Sequence, residues 1–155
     1  MTSDADRGRT EVYAAELAAY EGTDLEAVMA IDELIESARR ITTAPWWPPA
    51  REVTVRPARH DARSSTTRWR GTIVIRVAAE QATPATLVHE LAHVLAGASA
   101  GHGPSFRTAH VDLASAEFGP SRGEWLAAAY RAAGLSFGER TWDPPPIGPA
   151  SAIAL

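Results

Sequence analysis

Thr83-Pro84-Ala85-Thr86-Leu87-Val88-His89-Glu90-Leu91-Ala92-His93-Val94-Leu95-Ala96-Gly97 reads as one helix with both ends marked. Thr83 is placed to accept from the first free N–H groups, and Pro84 suits the first helical position, where a missing N–H costs nothing. Gly97 stands where a left-handed residue closes a helix. Inside, His89 and His93 lie four residues apart, on one helix face and about 6 Å along the axis. Both imidazoles can therefore reach one zinc ion at roughly 2.0–2.1 Å, with Glu90 in register as general base toward a metal-activated water.

From Thr86 to Gly97 the only titratable side chains are His89, Glu90 and His93; the rest is Leu, Val, Ala or Thr. The helix is expected to be buried nearly all round. Burying a carboxylate and two imidazoles in such a helix costs several kcal/mol unless something compensates, and a bound Zn²⁺ compensates well. A third ligand decides the class. The metzincin spacing would place a histidine where Ser99 stands, so that reading fails. Instead the small residues Ala98 to Gly101 form a turn that delivers His102 just before a new helix, with His110 and Glu117 on that helix as the alternatives.

His-Glu-x-x-His followed by a turn and His102-Gly103-Pro104-Ser105-Phe106 resembles the SprT-like zinc metallopeptidases. More closely, the chain is similar to a small family of actinobacterial metallohydrolases of about this length, with the resemblance extending to Val12-Tyr13-Ala14-Ala15-Glu16. The resemblance implies a zincin-like fold, one zinc per chain, His102 as third ligand, and hydrolysis of a peptide or protein substrate. It also implies an edge strand beside the cleft that holds substrate extended through backbone hydrogen bonds. The strand Thr72–Val77 or its hairpin partner is expected to be that edge.

Composition narrows the classes. With 155 residues, 45% hydrophobic and 22% charged, the chain fits one ordinary globular domain with a real core. No apolar run is long enough for a membrane span, and Met1 to Arg7 lack a signal pattern, so a cytoplasmic location is expected. Cysteine is absent, which removes disulfides, thiol catalysis and cysteine-ligated zinc. A net charge of −4 does not suggest a nucleic-acid binder. Arginines 51, 56, 59, 63, 68 and 70 do cluster, but Glu52 and Asp61 dilute them, and a solvated hairpin loop over 57–68 is favoured over a nucleic-acid face. The sequence leaves the oligomeric state open.

Along the chain, 1–9 reads as a flexible N-terminus, 10–136 as the metallohydrolase domain and 137–155 as an extended, Pro-rich tail. Thr10 to Tyr20 is a helix with Tyr13, Leu17 and Tyr20 at helical spacing. Thr23-Asp24-Leu25-Glu26 is a capping box opening a helix to about Ile41, with Leu25, Val28, Ile31 and Leu34 among its apolar set. Trp46 and Trp47 more readily seal a core edge than line a groove. Strands follow at Glu52–Arg56 and Trp69–Val77. After the metal helix, Pro104 to Phe118 carries Phe106, His110, Leu113 and Glu117 on one face. His110 is read as a ligand-orienting group, an oxyanion donor or a core histidine, and Glu117 and Asp112 as carboxylates for holding ligand histidines. A second capping box, Ser121 to Glu124, opens the last helix, where Tyr130 is an oxyanion donor or a packing residue.

The expected architecture is α+β: a small, mostly antiparallel sheet packed with the metal helix and flanking helices. The expected function is a zinc metallopeptidase with His89, His93 and His102 as ligands and Glu90 as base. The alternative is a non-catalytic, zinc-stabilised interaction module, a nucleic-acid or phage-related accessory, which would have no need of Glu90.

Overall fold

A computed structural model of the chain describes residues 8–60, 62–69 and 72–146. Among the described residues, five α-helices and three short strands make an α+β fold. The helices are α1 (Arg9–Tyr20), α2 (Ile31–Thr42), α3 (Pro84–Ala96), α4 (Pro104–Phe118) and α5 (Pro120–Ala132); the strands are β1 (Val53–Pro57), β2 (Ser65–Trp69) and β3 (Thr72–Val77). No helix among the described residues is long and apolar enough to cross a membrane.

Helix α3 forms as its end signals require. Thr83 Oγ1 accepts from Thr86 N at 3.0 Å, Pro84 opens the helix, and the Gly97 N–H closes it on His93 O at 3.1 Å. Gly97 has a φ of 97° but an extended ψ of 148°, so its positive φ is realised without the left-handed helical conformation. Ala85, Leu87, Val88, Leu91, Ala92, Val94 and Leu95 are all buried, which places α3 at the centre of the core. α4 spans Pro104–Phe118, as its periodicity predicts.

The sheet corrects the expectation of a mostly antiparallel arrangement. Its order is β1-β3-β2, with β3 parallel to β1 and antiparallel to β2. The stretch 57–68, read as a solvated loop, contains the start of β2, and the strand expected over Trp69–Val77 is divided between β2 and β3. The hairpin is therefore β2–β3. It occupies one side of β3 and leaves β1 the other, where β1 runs parallel. As the central strand β3 buries Ile73, Val74, Ile75 and Val77, a near-continuous apolar run rather than an alternation.

The first helix does not pack on its Tyr13 and Leu17 stripe. Tyr13 and Leu17 are 49% and 59% exposed, whereas Val12, Ala15, Ala19 and Tyr20 are buried. Both stripes have helical spacing, but the alanines let α1 approach α5 closely, where Arg122 Nη1 donates to Ala19 O at 3.0 Å. This choice turns Glu16 toward the interior. The helix expected from Thr23 is only a short turn, Asp24–Glu26; the chain then extends, Met29 N donates to Ala82 O at 2.8 Å, Val28 is exposed, and α2 starts at Ile31. The capping box at Ser121 is not used either, since α5 begins at Pro120 after Gly119. α4 and α5 pack closely through Gly123, where a Cβ would lie 1.7 Å from Ser115 Oγ. Trp47 is buried and donates from Nε1 to Arg51 O, in keeping with the core-sealing reading.

The segment after α5 is docked over much of its length, against the expectation of a loose tail from residue 137. Gly138 exchanges hydrogen bonds with Thr108 Oγ1, and Asp112 accepts from Arg140 Nε and Nη2 at 2.6 and 2.8 Å and from Trp142 Nε1 at 2.9 Å. Asp112 is thus an anchor for this segment and not a partner of the histidines. Trp142 joins the hydrophobic core. The remainder of the expected tail, 147–155, and most of the expected N-terminal segment, 1–7, lie outside the described residues.

Candidate metal centre

His89 and His93 project from one face of α3, and the turn after Gly97 brings His102 back to meet them. One nitrogen from each of the three rings lies within 4.8 Å of the other two. His89 Nε2 and His102 Nε2 are 3.3 Å apart, and the rings stand at 54–80° to one another, so their edges converge on a common point. The floor is Phe106, fully buried, with its ring centroid 4.4–5.1 Å from all three histidine rings. Phe106, which ends the His102-Gly103-Pro104-Ser105-Phe106 segment, is by its packing the wedge between the three rings.

Behind the cluster stands Glu16 of α1, which sequence reasoning left without a role. Its Oε1 is in short hydrogen-bond contact with His89 Nδ1, and His110 Nε2 lies 3.3 Å from the same oxygen. His110 Nδ1 is 2.6 Å from the Tyr130 hydroxyl. With His89 Nδ1–H facing Glu16 and Tyr130 donating to His110 Nδ1, His89 Nε2 keeps its lone pair toward His93 and His102, while His110 Nε2, near Glu16, makes no hydrogen bond among the described residues. A signal for Glu16 existed, because it lies within the Val12/Ala15/Ala19 stripe, where a lone carboxylate needs a partner. Glu16, His89 and His110 also bring donor atoms together, but the Glu16–His89 contact already accounts for that trio as a hydrogen-bonded arrangement.

His110 and Tyr130 are both fully buried. They stand on the inner side of Glu16, with Tyr130 bonded to His110 and His110 Nε2 near the Glu16 carboxylate. Glu117 is not part of the cluster: it forms a two-pronged pair with Arg40 of α2, at 2.7 and 3.1 Å. Of the three alternatives for a third ligand, His102 is the one whose ring nitrogen groups with those of His89 and His93. Its loop is braced by Arg107, a buried guanidinium that donates from Nη1 to His102 O and from Nε to Ser136 O, both at 2.8 Å.

The electrostatics suit neutral ligands. Burial, followed by the neighbouring His89 and His102, pushes His93 down to about 3, despite a hydrogen bond to the Gly101 backbone. His110 is held well below the usual histidine range, first by burial and then by the three other histidines. For His89, burial acts downward as the largest single influence, but the Glu16 hydrogen bond and charge, with Glu90, outweigh it and the net shift is upward. Three imidazoles grouped this tightly repel one another when protonated and offer lone pairs when neutral. This donor set fits a divalent ion that accepts nitrogen ligands, such as zinc.

Glu90 follows His89 on α3 and is partly exposed; its Oε2 accepts from Thr66 Oγ1 of β2 at 2.9 Å. Tyr13 completes the outer side, its half-exposed ring stacked on His89 with centroids 5.5 Å apart and 9° between planes. Compared with models of protein families, with curated proteins and with solved structures, the chain matches none.

Proposed function

We propose that this chain is a zinc-dependent hydrolase of zincin-like type that cleaves peptide bonds. The observation that carries the reading is the convergence of His89, His93 and His102 beside a glutamate in register, with a second carboxylate, Glu16, behind one ligand. Three protein donors leave room for a fourth, which is the pattern of catalytic rather than structural zinc. When bound, the ion supplies Lewis acidity, acidifying water and polarising a carbonyl.

The chain's own residues do the rest. His89, His93 and His102 would hold the ion, and Glu16, bonded to His89 Nδ1, would leave His89 Nε2 as its ligand atom. Glu90 takes the proton of the attacking water and returns it to the leaving amine. Phe106 closes the floor to solvent. β2, an edge strand, reaches Glu90 through Thr66, so a peptide lying along that edge passes the base in extended form. This favours a polypeptide substrate over a compact small molecule.

The test is Glu90→Gln in the zinc-loaded chain, assayed on unfolded casein. A hydrolase keeps its zinc and fold and loses cleavage by at least about a hundredfold, the usual size of a general-base contribution. Cleavage undiminished in the variant removes Glu90 as the base; none by the wild type on casein and a mixed peptide library returns the chain to the zinc-stabilised interaction module.

A further inference from the structure

We infer that Thr66 is a positioning residue for Glu90, a role that rests on Glu90 acting as the base. Glutamate in mid-helix carries three rotatable side-chain bonds, and a base that wanders by an ångström loses much of its effect. Its neighbours one turn away on α3 are Thr86, Leu87, His93 and Val94; Thr86 Oγ1 is bonded to Thr83, and among the described residues none of the four makes a hydrogen bond to the Glu90 side chain. The lock comes from the sheet. Thr66 pairs in register with Ile75 of β3, a fully buried residue, so its backbone is tied into the core. Threonine is stiff at χ1, and its hydroxyl donates to Glu90 Oε2 at 2.9 Å. One carboxylate oxygen is held by the strand and the other is left for the water's proton.

The arrangement also ties the base to the substrate edge. β2 borders the sheet, so the strand that a polypeptide would pair with is the strand that aims Glu90. A hydroxyl at this position is therefore required, while the methyl group is not. That separates positioning from mere attachment of β2 to α3, which a side chain of the same shape would preserve.

The experiment compares wild type, Thr66→Val and Thr66→Ser as full-length chains. Valine keeps shape and strand preference but removes the hydroxyl; serine restores it. The first readout is the side-chain carboxyl ¹³C resonance of Glu90 in the metal-free chain. The second is calorimetric affinity of the zinc-loaded chain for acetohydroxamic acid, which hands its hydroxyl proton to the base on binding. Thr66→Val is expected to shift the resonance and weaken the hydroxamate about tenfold, with zinc content and melting temperature unchanged. Thr66→Ser is expected to behave as wild type in both. A valine variant with wild-type resonance and affinity overturns the proposal, as does a serine variant that fails alongside it. Wild-type chain that binds no zinc would instead overturn the hydrolase reading, and the metal-free resonance would still decide whether Thr66 holds Glu90.

Discussion

The Glu16 carboxylate of α1 and Nδ1 of His89 on α3, 73 positions apart in the chain, meet in a hydrogen bond behind the histidine cluster. This contact joins the first helix to the candidate metal centre and explains why a carboxylate is tolerated in an otherwise apolar stripe. It also makes α1 part of the site rather than scaffold.

Removing that carboxylate should weaken metal binding without removing a ligand. Partners of this kind are worth roughly 10–100-fold in metal affinity. Glu16→Gln, titrated with zinc against a chromophoric chelator, is expected to fall in that range, and wild-type affinity would show that the contact does not orient His89.

Arg107 should matter for the fold and the metal together. Arg107→Met leaves the carbonyls of His102 and Ser136 without their donor in a buried setting. Stability in urea should drop by about 2–4 kcal/mol, and zinc affinity should drop with it as the His102 loop loosens. A variant with lower stability but unchanged zinc affinity would detach Arg107 from the site.

The docked C-terminal segment gives a third test. Trp142→Ala removes a buried indole and its hydrogen bond to Asp112, and should cost about 3–5 kcal/mol in the unfolding free energy. Loss within a few tenths of a kcal/mol would mean that this segment is not part of the core.

Acidification should destabilise the metal-free chain in a defined window. His93 and His110 have folded-state values below that of an unfolded histidine, so between about pH 6.5 and about 3 the unfolded chain binds more protons. Stability should therefore fall with falling pH, by up to about 1.4 kcal/mol per unit for each group. His89 is shifted the other way; its contribution is complete below the unfolded value and is lost only as pH rises through the folded one, so it adds no slope in this window. Urea melts from pH 7 to 4 read this directly, and a flat profile would contradict the neutral, buried state of both histidines.

Helices α3 and α4 were legible in the sequence because each carries its own signals: Thr83, Pro84 and Gly97 for the first, Pro104 and an apolar period for the second. The three histidines were legible because their chemistry is scarce in such an apolar context. What escaped depends on contacts between distant segments. Helical spacing marks Tyr13 and Leu17, whereas helix–helix approach selects the smaller Ala15 and Ala19 and brings Glu16 with them. The stretch 65–68 is polar and reads as loop until β3 offers it a ladder. Proline content made the C-terminal segment look loose, yet side chains of α4 hold it. Asp112 and Glu117 were sought near the histidines by helical phase alone, but each is drawn away by an arginine from another element.

The most direct measurement is zinc content by elemental analysis of wild type and His102→Ala, both purified without added metal. The account predicts one zinc per wild-type chain and its loss or strong weakening in the variant. No stoichiometric metal in the wild type, even after reconstitution, or zinc undiminished in His102→Ala, would contradict it.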